Sequence, residues 1–318
     1  MNYKFAFQRA LQFISVVLAS TFLISALIKF MPFNLADVVA PFASTDEKVE
    51  ISKRLGLDQN VFIQFWNWFK RFVRGDLGLI YSTSETESVS GRLLKALPKS
   101  LFLLIYTQIF ALACSIPLAV ACAYKEGSKF DKIFNNSLFT LSAIPGFSIG
   151  LILSYFLGLR LGILPPLGYI SPTEDFFEHF KLMVMPVLSL SIGLIATYTR
   201  LLRNDLIASL KDDYVMMARS KGLSPETIMW KHVFRPSSMT LVTSAALNMG
   251  GLIGGTVVIE NVFAIPGVGS EIVYAIFTSQ IFMLQSIVAA VSLFYIAINF
   301  IADLVGTKID PRTRDRRA

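Results

Sequence analysis

Apolar, uncharged positions gather into six runs, at residues 10–28, 100–124, 133–159, 182–199, 236–259 and 272–302, each flanked by charged residues. Each run is close to or above the roughly 20 residues a helix needs to cross the hydrocarbon of a bilayer. One such run could be the buried helix of a soluble protein; six of them predict six transmembrane helices. The polar segment of about seventy residues between the first two runs is too long for a plain connector. Within it, Phe62, Phe65, Trp66, Phe69, Phe72 and Val73 recur at helical spacing, with Gln64, Asn67, Lys70 and Arg71 between them. That pattern predicts an amphipathic helix over Val61 to Val73 lying at the membrane interface, with a substrate-stacking platform as the alternative, ended by the turn Gly75-Asp76-Leu77-Gly78.

A charged insert, residues 200–235, separates the fourth and fifth runs. Its periodic stretch from Asp213 and Tyr214 through Ala218 ends on Arg219 and Lys221, cations suited to a helix C-terminus. Gly222 can take the left-handed conformation just past that end, and Leu223 follows. Ser224 then offers an N-cap oxygen, Pro225 sits at the tolerated first helical position, and Glu226 suits the positive end of a new helix. Two short helices joined by a tight glycine turn are predicted. Further breaks are expected at Pro117, at Pro145-Gly146 and at Pro186, inside the second, third and fourth runs. The segment Glu260 to Gly269 is apolar although it lies outside the runs, which predicts a loop tucked against the bundle. Pro266, Gly267 and Gly269 there would permit a tight path that bulkier residues obstruct.

Composition agrees with the pattern: 54% of residues are hydrophobic and 16% charged, against roughly 25% charged in soluble proteins. The Lys and Arg residues orient the chain. Lys125, Lys129 and Lys132 fill one short loop, the 200–235 insert is rich in Lys and Arg, and the tail carries Lys308, Arg312, Arg314, Arg316 and Arg317. The intervening loops hold only Arg160 and Lys181, or no cation at all. Both termini and the insert are therefore expected inside. The net charge of +7 follows from this bias, and nothing points to nucleic acid. The first run is long and lacks a small-x-small cleavage signal, so an uncleaved anchor is expected. Cys114 and Cys122 share one run and read as small apolar residues.

Catalytic and metal-binding motifs are absent from the sequence. No Gly-Lys pair exists for a phosphate-binding loop, and no zinc-spaced cysteines or nucleophile elbow occur. The two histidines, His179 and His232, are expected on opposite sides of the membrane. Ionisable residues inside the runs are scarce, which speaks against a proton-coupled secondary transporter or a channel. Asn299 and Asp303 at the inner end of the last run read as a hydrogen-bonded pair or part of an ion pathway. A membrane scaffold has no positive support. The chain carries no engine of its own.

The insert resembles the coupling loop of the permease subunits of bacterial ABC importers. Met216, Met217 and Ala218 stand at that loop's Glu-Ala-Ala positions and Gly222 at its glycine. The match is fuller to the oligopeptide/dipeptide/nickel branch, through Asp213, Tyr214, Ala218, Arg219, Lys221, Gly222, Leu223, His232 and Arg235. Further shared markers run along the chain: Arg54 to Asp58, Arg74 to Gly78, Leu97-Pro98, Leu164-Pro165 with Gly168-Tyr169, Glu260 with Val262-Phe263, Pro266 to Gly269, and Asp310-Pro311-Arg312. A departure follows the first run, where Met31-Pro32-Phe33-Asn34-Leu35 replaces the branch's Leu-Pro-Gly-Asp-Pro.

The resemblance implies an all-α, multi-pass protein of a bacterial inner membrane with the type I ABC importer permease fold: six helices, N-in and C-in, and a cytoplasmic coupling helix. Residues 1–99 would form the first span and a long extracytoplasmic loop, 100–306 a five-helix core bearing the 200–235 hairpin, and 307–318 a basic tail. Its partners would be a second homologous permease, two cytoplasmic ATPase subunits that use the ATP, and an extracytoplasmic substrate-binding protein; no cofactor would be bound directly. Residues 213–235 are expected to contact an ATPase, while Glu260, Pro266, Gly267 and Gly269 would belong to an outer gate loop. Peptides are the expected cargo, with nickel or a nickel chelate as the alternative.

Overall fold

The structure, a computed structural model, describes residues 3–28, 35–81 and 86–309. The Met31 to Asn34 departure, the tail from Asp310, and the Asp303 and Lys308 side chains lie outside the described residues. The described chain is almost entirely helical. Four helices are long and apolar enough to cross a membrane: α5 (Val89–Tyr124), α8 (Phe176–Leu210), the element Pro225–Val262 and α13 (Ile281–Ile309). A fifth candidate is the pair α6 (Lys129–Ser142) and α7 (Gly146–Leu153), the latter continued by a π-helical stretch over Ser154–Arg160. The pair bends by 94°.

That bend falls at the Pro145-Gly146 break expected in the third run. Pro145 has no N–H to extend α6, and Gly146 opens α7 where a Cβ would come within 3.0 Å of the Ser189 carbonyl oxygen. The last run, 272–302, is also divided. α12 (Val268–Phe277) ends at Thr278, Ser279 takes φ +54°, and α13 begins at Ile281. Gln280, inside this break, accepts from the Tyr81 N–H at 3.0 Å and donates to the Tyr81 carbonyl at 2.6 Å, so its side chain does for Tyr81 what a neighbouring strand would do.

Two compact units divide the chain. The first contains α1 (Tyr3–Ile28), α2 (Leu35–Val39), α3 (Thr45–Arg54), α4 (Val61–Val73), a small antiparallel hairpin of β1 (Leu79–Tyr81) and β2 (Thr86–Ser88), the start of α5, α12, and α13 as far as Ala297. Within α1 the described apolar stretch is Ile14–Leu27. The expected amphipathic helix is α4: it buries Trp68, whose Nε1 donates to Ser286 Oγ at 3.1 Å, and sets Phe62 tilted and Phe65 edge-on against Phe22 of α1. Its Gly75 end closes with φ +83°.

The second unit holds the remainder of α5 and the chain from there to Ile265, followed by residues from Ile298 on. One of its cores, around Tyr198, Leu202 and Leu206 of α8, lies toward the hairpin; another gathers Leu103, Met185, Ile259 and Phe263. Helices approach closely at Gly150 of α7, where a Cβ would sit 3.1 Å from Phe263 and 3.1 Å from Ser189 Oγ. His179 at the start of α8 is fully buried. Its Nδ1 donates to the Ile170 carbonyl at 2.7 Å, and the rings of Phe102, Tyr106, Tyr169 and Phe180 surround it edge-on. Cys114, half-buried, and Cys122, buried, are both free thiols within α5.

Candidate coupling hairpin and outer turn

The insert after α8 folds as α9 (Asp213–Ser220), a turn, α10 (Pro225–Thr227) and a π-helical turn over Ile228–Val233 that runs into α11 (Phe234–Val262). Gly222 stands at φ +75°, just past the C-cap Lys221. Its N–H donates to Arg219 at 2.9 Å and the Leu223 N–H donates to Ala218 at 3.3 Å, the paired bonds that satisfy the last carbonyls of a glycine-terminated helix. Two residues on, Ser224 Oγ accepts the Thr227 N–H at 3.3 Å and Pro225 occupies the first helical position. The stop and start signals therefore lie back to back, which is why the chain reverses in so few residues.

The two faces of the hairpin differ sharply. Val215, Ala218, Ile228, Met229 and Val233 point inward and join the core made by α5 and α8. Met216 and Met217 are 66% and 60% exposed and Trp230 51%, with Tyr214 and Leu223 also open. Asp213, Arg219, Lys221, His232 and Arg235 border them in solvent. Exposed apolar side chains with charged neighbours are a common composition of a protein-docking surface. Met216, Met217 and Trp230 escaped the site prediction because their exposure depends on which face of α9 the core takes.

A second group holds the hairpin to the bundle. Arg203 of α8 meets Asp131 of α6 with Nη2–Oδ2 at 2.5 Å and Nε–Oδ1 at 2.6 Å. Asp131, 3% exposed, also accepts from the Gly127 N–H at 3.0 Å and from Asn135 Nδ2 at 3.2 Å. Lys211 pairs with Glu126 at 3.0 Å, and Tyr124 Oη donates to the Pro225 carbonyl at 3.1 Å. The α5–α6 loop thus clamps both roots of the hairpin. In sequence, Arg203 figures only as a charge that sets orientation and Asp131 does not stand out.

The segment from Glu260 to Gly269 is less of a loop than its sequence predicts. Glu260 is fully buried in the last turn of α11, and Gly269 lies within α12, leaving Pro266 and Gly267 between helices. Glu260 belongs to the second unit, and the other three residues to the first. Gly267 has φ −99° and ψ −174°, extended backbone open to any residue, so its conformation does not require glycine. The left-handed residue is Ala264, φ +53°, which follows the helix end while the Ile265 N–H donates to the Glu260 carbonyl at 2.8 Å. The start of α12 is fixed by the Val268 N–H donating to Ser100 Oγ at 2.8 Å. In α12, Glu271 accepts from Arg92 Nε at 2.7 Å, and burial nevertheless lifts its carboxyl above the usual carboxylate range. Among the described residues no group of three or more His, Cys, Asp or Glu side chains is gathered for a metal ion.

Four helices, or five with the bent pair, are long and apolar enough to cross a membrane, as in a multi-pass membrane protein. Residues 115–315 match the family described as binding-protein-dependent transport system inner membrane component, and the chain belongs to that family. It is a permease component of a binding-protein-dependent ABC importer. It is 30% identical, over 96% of its length and 98% of the relative's, to the probable peptide ABC transporter permease protein y4tP of Sinorhizobium fredii. It is 29% identical to the oligopeptide transport system permease protein AppB of Bacillus subtilis, over 96% and 97% of the two chains. With the nickel import system permease protein NikB of Staphylococcus aureus it shares 30% identity over 96% and 90%. A chain of the MetNI methionine ABC transporter, solved in inward-facing conformations, shares the fold at a TM-score of 0.56 and 15% identity, over 69% of this chain and 96% of that one.

Proposed function

We propose that this chain is one of two homologous six-span permeases in a bacterial cytoplasmic membrane, with both termini inside, and that it imports oligopeptides or dipeptides. An extracytoplasmic binding protein delivers the cargo, and two cytoplasmic ATPase subunits, separate from this chain, hydrolyse the ATP. The observation that carries the reading is the hairpin, whose inner face is fused to the bundle core while Met216, Met217 and Trp230 stand open. An ATPase groove closing over that face favours one arrangement of the spans over another. Only such a difference in binding between two states can drive a conformational cycle. Glu260, Pro266, Gly267 and Gly269 then belong to the outer end of the pathway, where release from the binding protein occurs.

Peptide cargo is supported by the names of the relatives in S. fredii and B. subtilis. The relative named for nickel import favours a second reading, in which the cargo is a chelated metal that needs no protein ligands. Uptake of a radiolabelled tripeptide and of labelled nickel, compared in a deletion strain and its complemented parent, separates the two. Loss of peptide uptake alone is expected; loss of nickel uptake alone would replace the peptide reading.

A further inference from the structure

In the first unit, α4 carries large apolar side chains on two opposite sides. One side packs on the protein: Phe65 meets Phe22 edge-on, Trp68 bonds to Ser286, and Phe72 lies against Trp68. At about 100° per residue, Phe62, Ile63, Trp66, Lys70 and Val73 share an arc of about 100° on the other side. Phe62 and Val73 are each 68% exposed, and Ile63 and Trp66 each 53%. Left in water, four such side chains would forfeit most of their burial free energy. What covers this face depends on the level at which α4 stands.

Two contacts fix that level. α13 has 29 residues, about 43 Å at 1.5 Å per residue, which matches the roughly 40–45 Å of a bilayer with its headgroup layers. Trp68 bonds to Ser286, five residues inside the start of α13 at Ile281, about 7.5 Å down the helix. Phe62 and Phe65 meet Phe22, six residues before the end of α1 at Ile28, about 9 Å down. The hydrocarbon itself is about 30 Å thick, which leaves each headgroup layer roughly 5–8 Å. Both contacts therefore set α4 where headgroups meet acyl chains, the level at which membrane-surface helices rest. Lipid occupies that level, and a water-soluble protein does not.

The charges on the open side suit the same surroundings. Lys70 stands among the apolar side chains with its Nζ 5.5 Å from the centre of the Trp66 ring, and Arg74, the exposed C-cap, follows one turn later. Neither makes an ion pair among the described residues, whereas Lys48, Arg54 and Arg92 of the same unit are each paired. Asp76, on the turn beyond, accepts from the Gly78 N–H at 2.9 Å. A lysine held on an indole keeps its ammonium among headgroups while the ring enters the apolar layer. We propose that this face of α4 is a phospholipid seat in the extracytoplasmic leaflet. Phe62, Ile63, Trp66 and Val73 pack against acyl chains, and Lys70 with Arg74 holds the phosphate of an anionic headgroup. The seat does not depend on which cargo is carried.

The test uses the complete importer, with its ATPases and binding protein, in vesicles of equal parts phosphatidylcholine and phosphatidylglycerol. The photoreactive residue p-benzoylphenylalanine replaces the exposed Ile63, beside Lys70, and its adducts are identified by mass spectrometry after irradiation. Adducts on phospholipid are expected, with phosphatidylglycerol favoured over phosphatidylcholine. Adding Lys70→Gln should lower that preference about fivefold, the factor for one basic residue at an anionic surface, and Lys70→Arg should keep it. Adducts on the binding protein or on the second permease, in place of lipid, overturn the seat. A preference unchanged in Lys70→Gln overturns the assignment of the headgroup to Lys70. Both readouts report lipid contact and not uptake, so they stand or fall apart from the comparison of peptide with nickel.

Discussion

Replacing Gly222 with valine tests the coupling role of the hairpin most directly. A Cβ at this position would meet nothing within 4 Å, so the cost is conformational and not steric. Holding a β-branched residue at φ +75° costs on the order of 2 kcal/mol. The chain can avoid that cost only by leaving the left-handed region, which breaks the Gly222-to-Arg219 and Leu223-to-Ala218 bonds, together worth a similar roughly 2 kcal/mol. The two routes cost about the same, so the equilibrium between docking-competent and released hairpin shifts by about 30-fold, from almost wholly competent to roughly half. The spans lie outside the change, so the protein should reach the membrane in near-normal amount. The assay pairs peptide uptake with co-purification of the ATPase subunits: both should fall about twofold for Gly222→Val and less for Gly222→Asn, since asparagine tolerates positive φ better. Wild-type values for the valine variant would show that this turn does not carry the coupling.

Arg203→Met strands the Asp131 carboxylate in a buried site and should destabilise the protein by about 3–5 kcal/mol. Thermal unfolding of the solubilised protein reads this, and an unchanged Tm would reduce the pair to a surface contact. Ala264→Gly should relieve the left-handed alanine and stabilise by about 1 kcal/mol, raising Tm by roughly 2–3 °C. A fall in Tm would mean that the alanine methyl contributes more by packing than its conformation costs. In a background with Cys114 and Cys122 changed to serine, Asp58→Cys should react with an impermeant maleimide in cells stripped of wall, and Ser224→Cys only after permeabilisation. The opposite pattern would invert the topology and place the hairpin away from any cytoplasmic ATPase.

Helix ends show what the sequence could and could not disclose. α3, α4 and α9 end on Gly56, Gly75 and Gly222, each at positive φ, and at Gly75 and Gly222 the residue type alone announces the turn. α11 and α12 end in the same hydrogen-bonded geometry but with Ala264 and Ser279 in the left-handed place. Nothing in the residue types marks those two stops, so Glu260 to Gly269 read as a loop and 272–302 as one span. Among the described residues hydropathy found the long apolar helices, because burying or lipid-facing a run of side chains depends on composition, but it merged α12 with α13. Pro145-Gly146 marked the place of the bend but not its 94°, which turns on how closely Gly146 approaches Ser189. The hairpin's stop and start residues were legible because caps act locally. Its clamp was not, since Asp131 and Arg203 stand 72 positions apart.

From Pro225 to Val262 the chain is a single helical element of 38 residues, about 57 Å long at 1.5 Å per residue. Its first turn is the capped start of the hairpin, and its last holds Glu260 and leads into the Ala264 turn. If rigid, such an element would act as a lever. A tilt of 5° about its midpoint would carry each tip through about 2.5 Å, in opposite directions, for a rod of that length. A pull on the hairpin would then reach the far tip as a push of equal size, with no relay of side chains in between. Stiffness along this one rod, more than any contact at either tip, would then set how faithfully a stroke at one surface is delivered to the other.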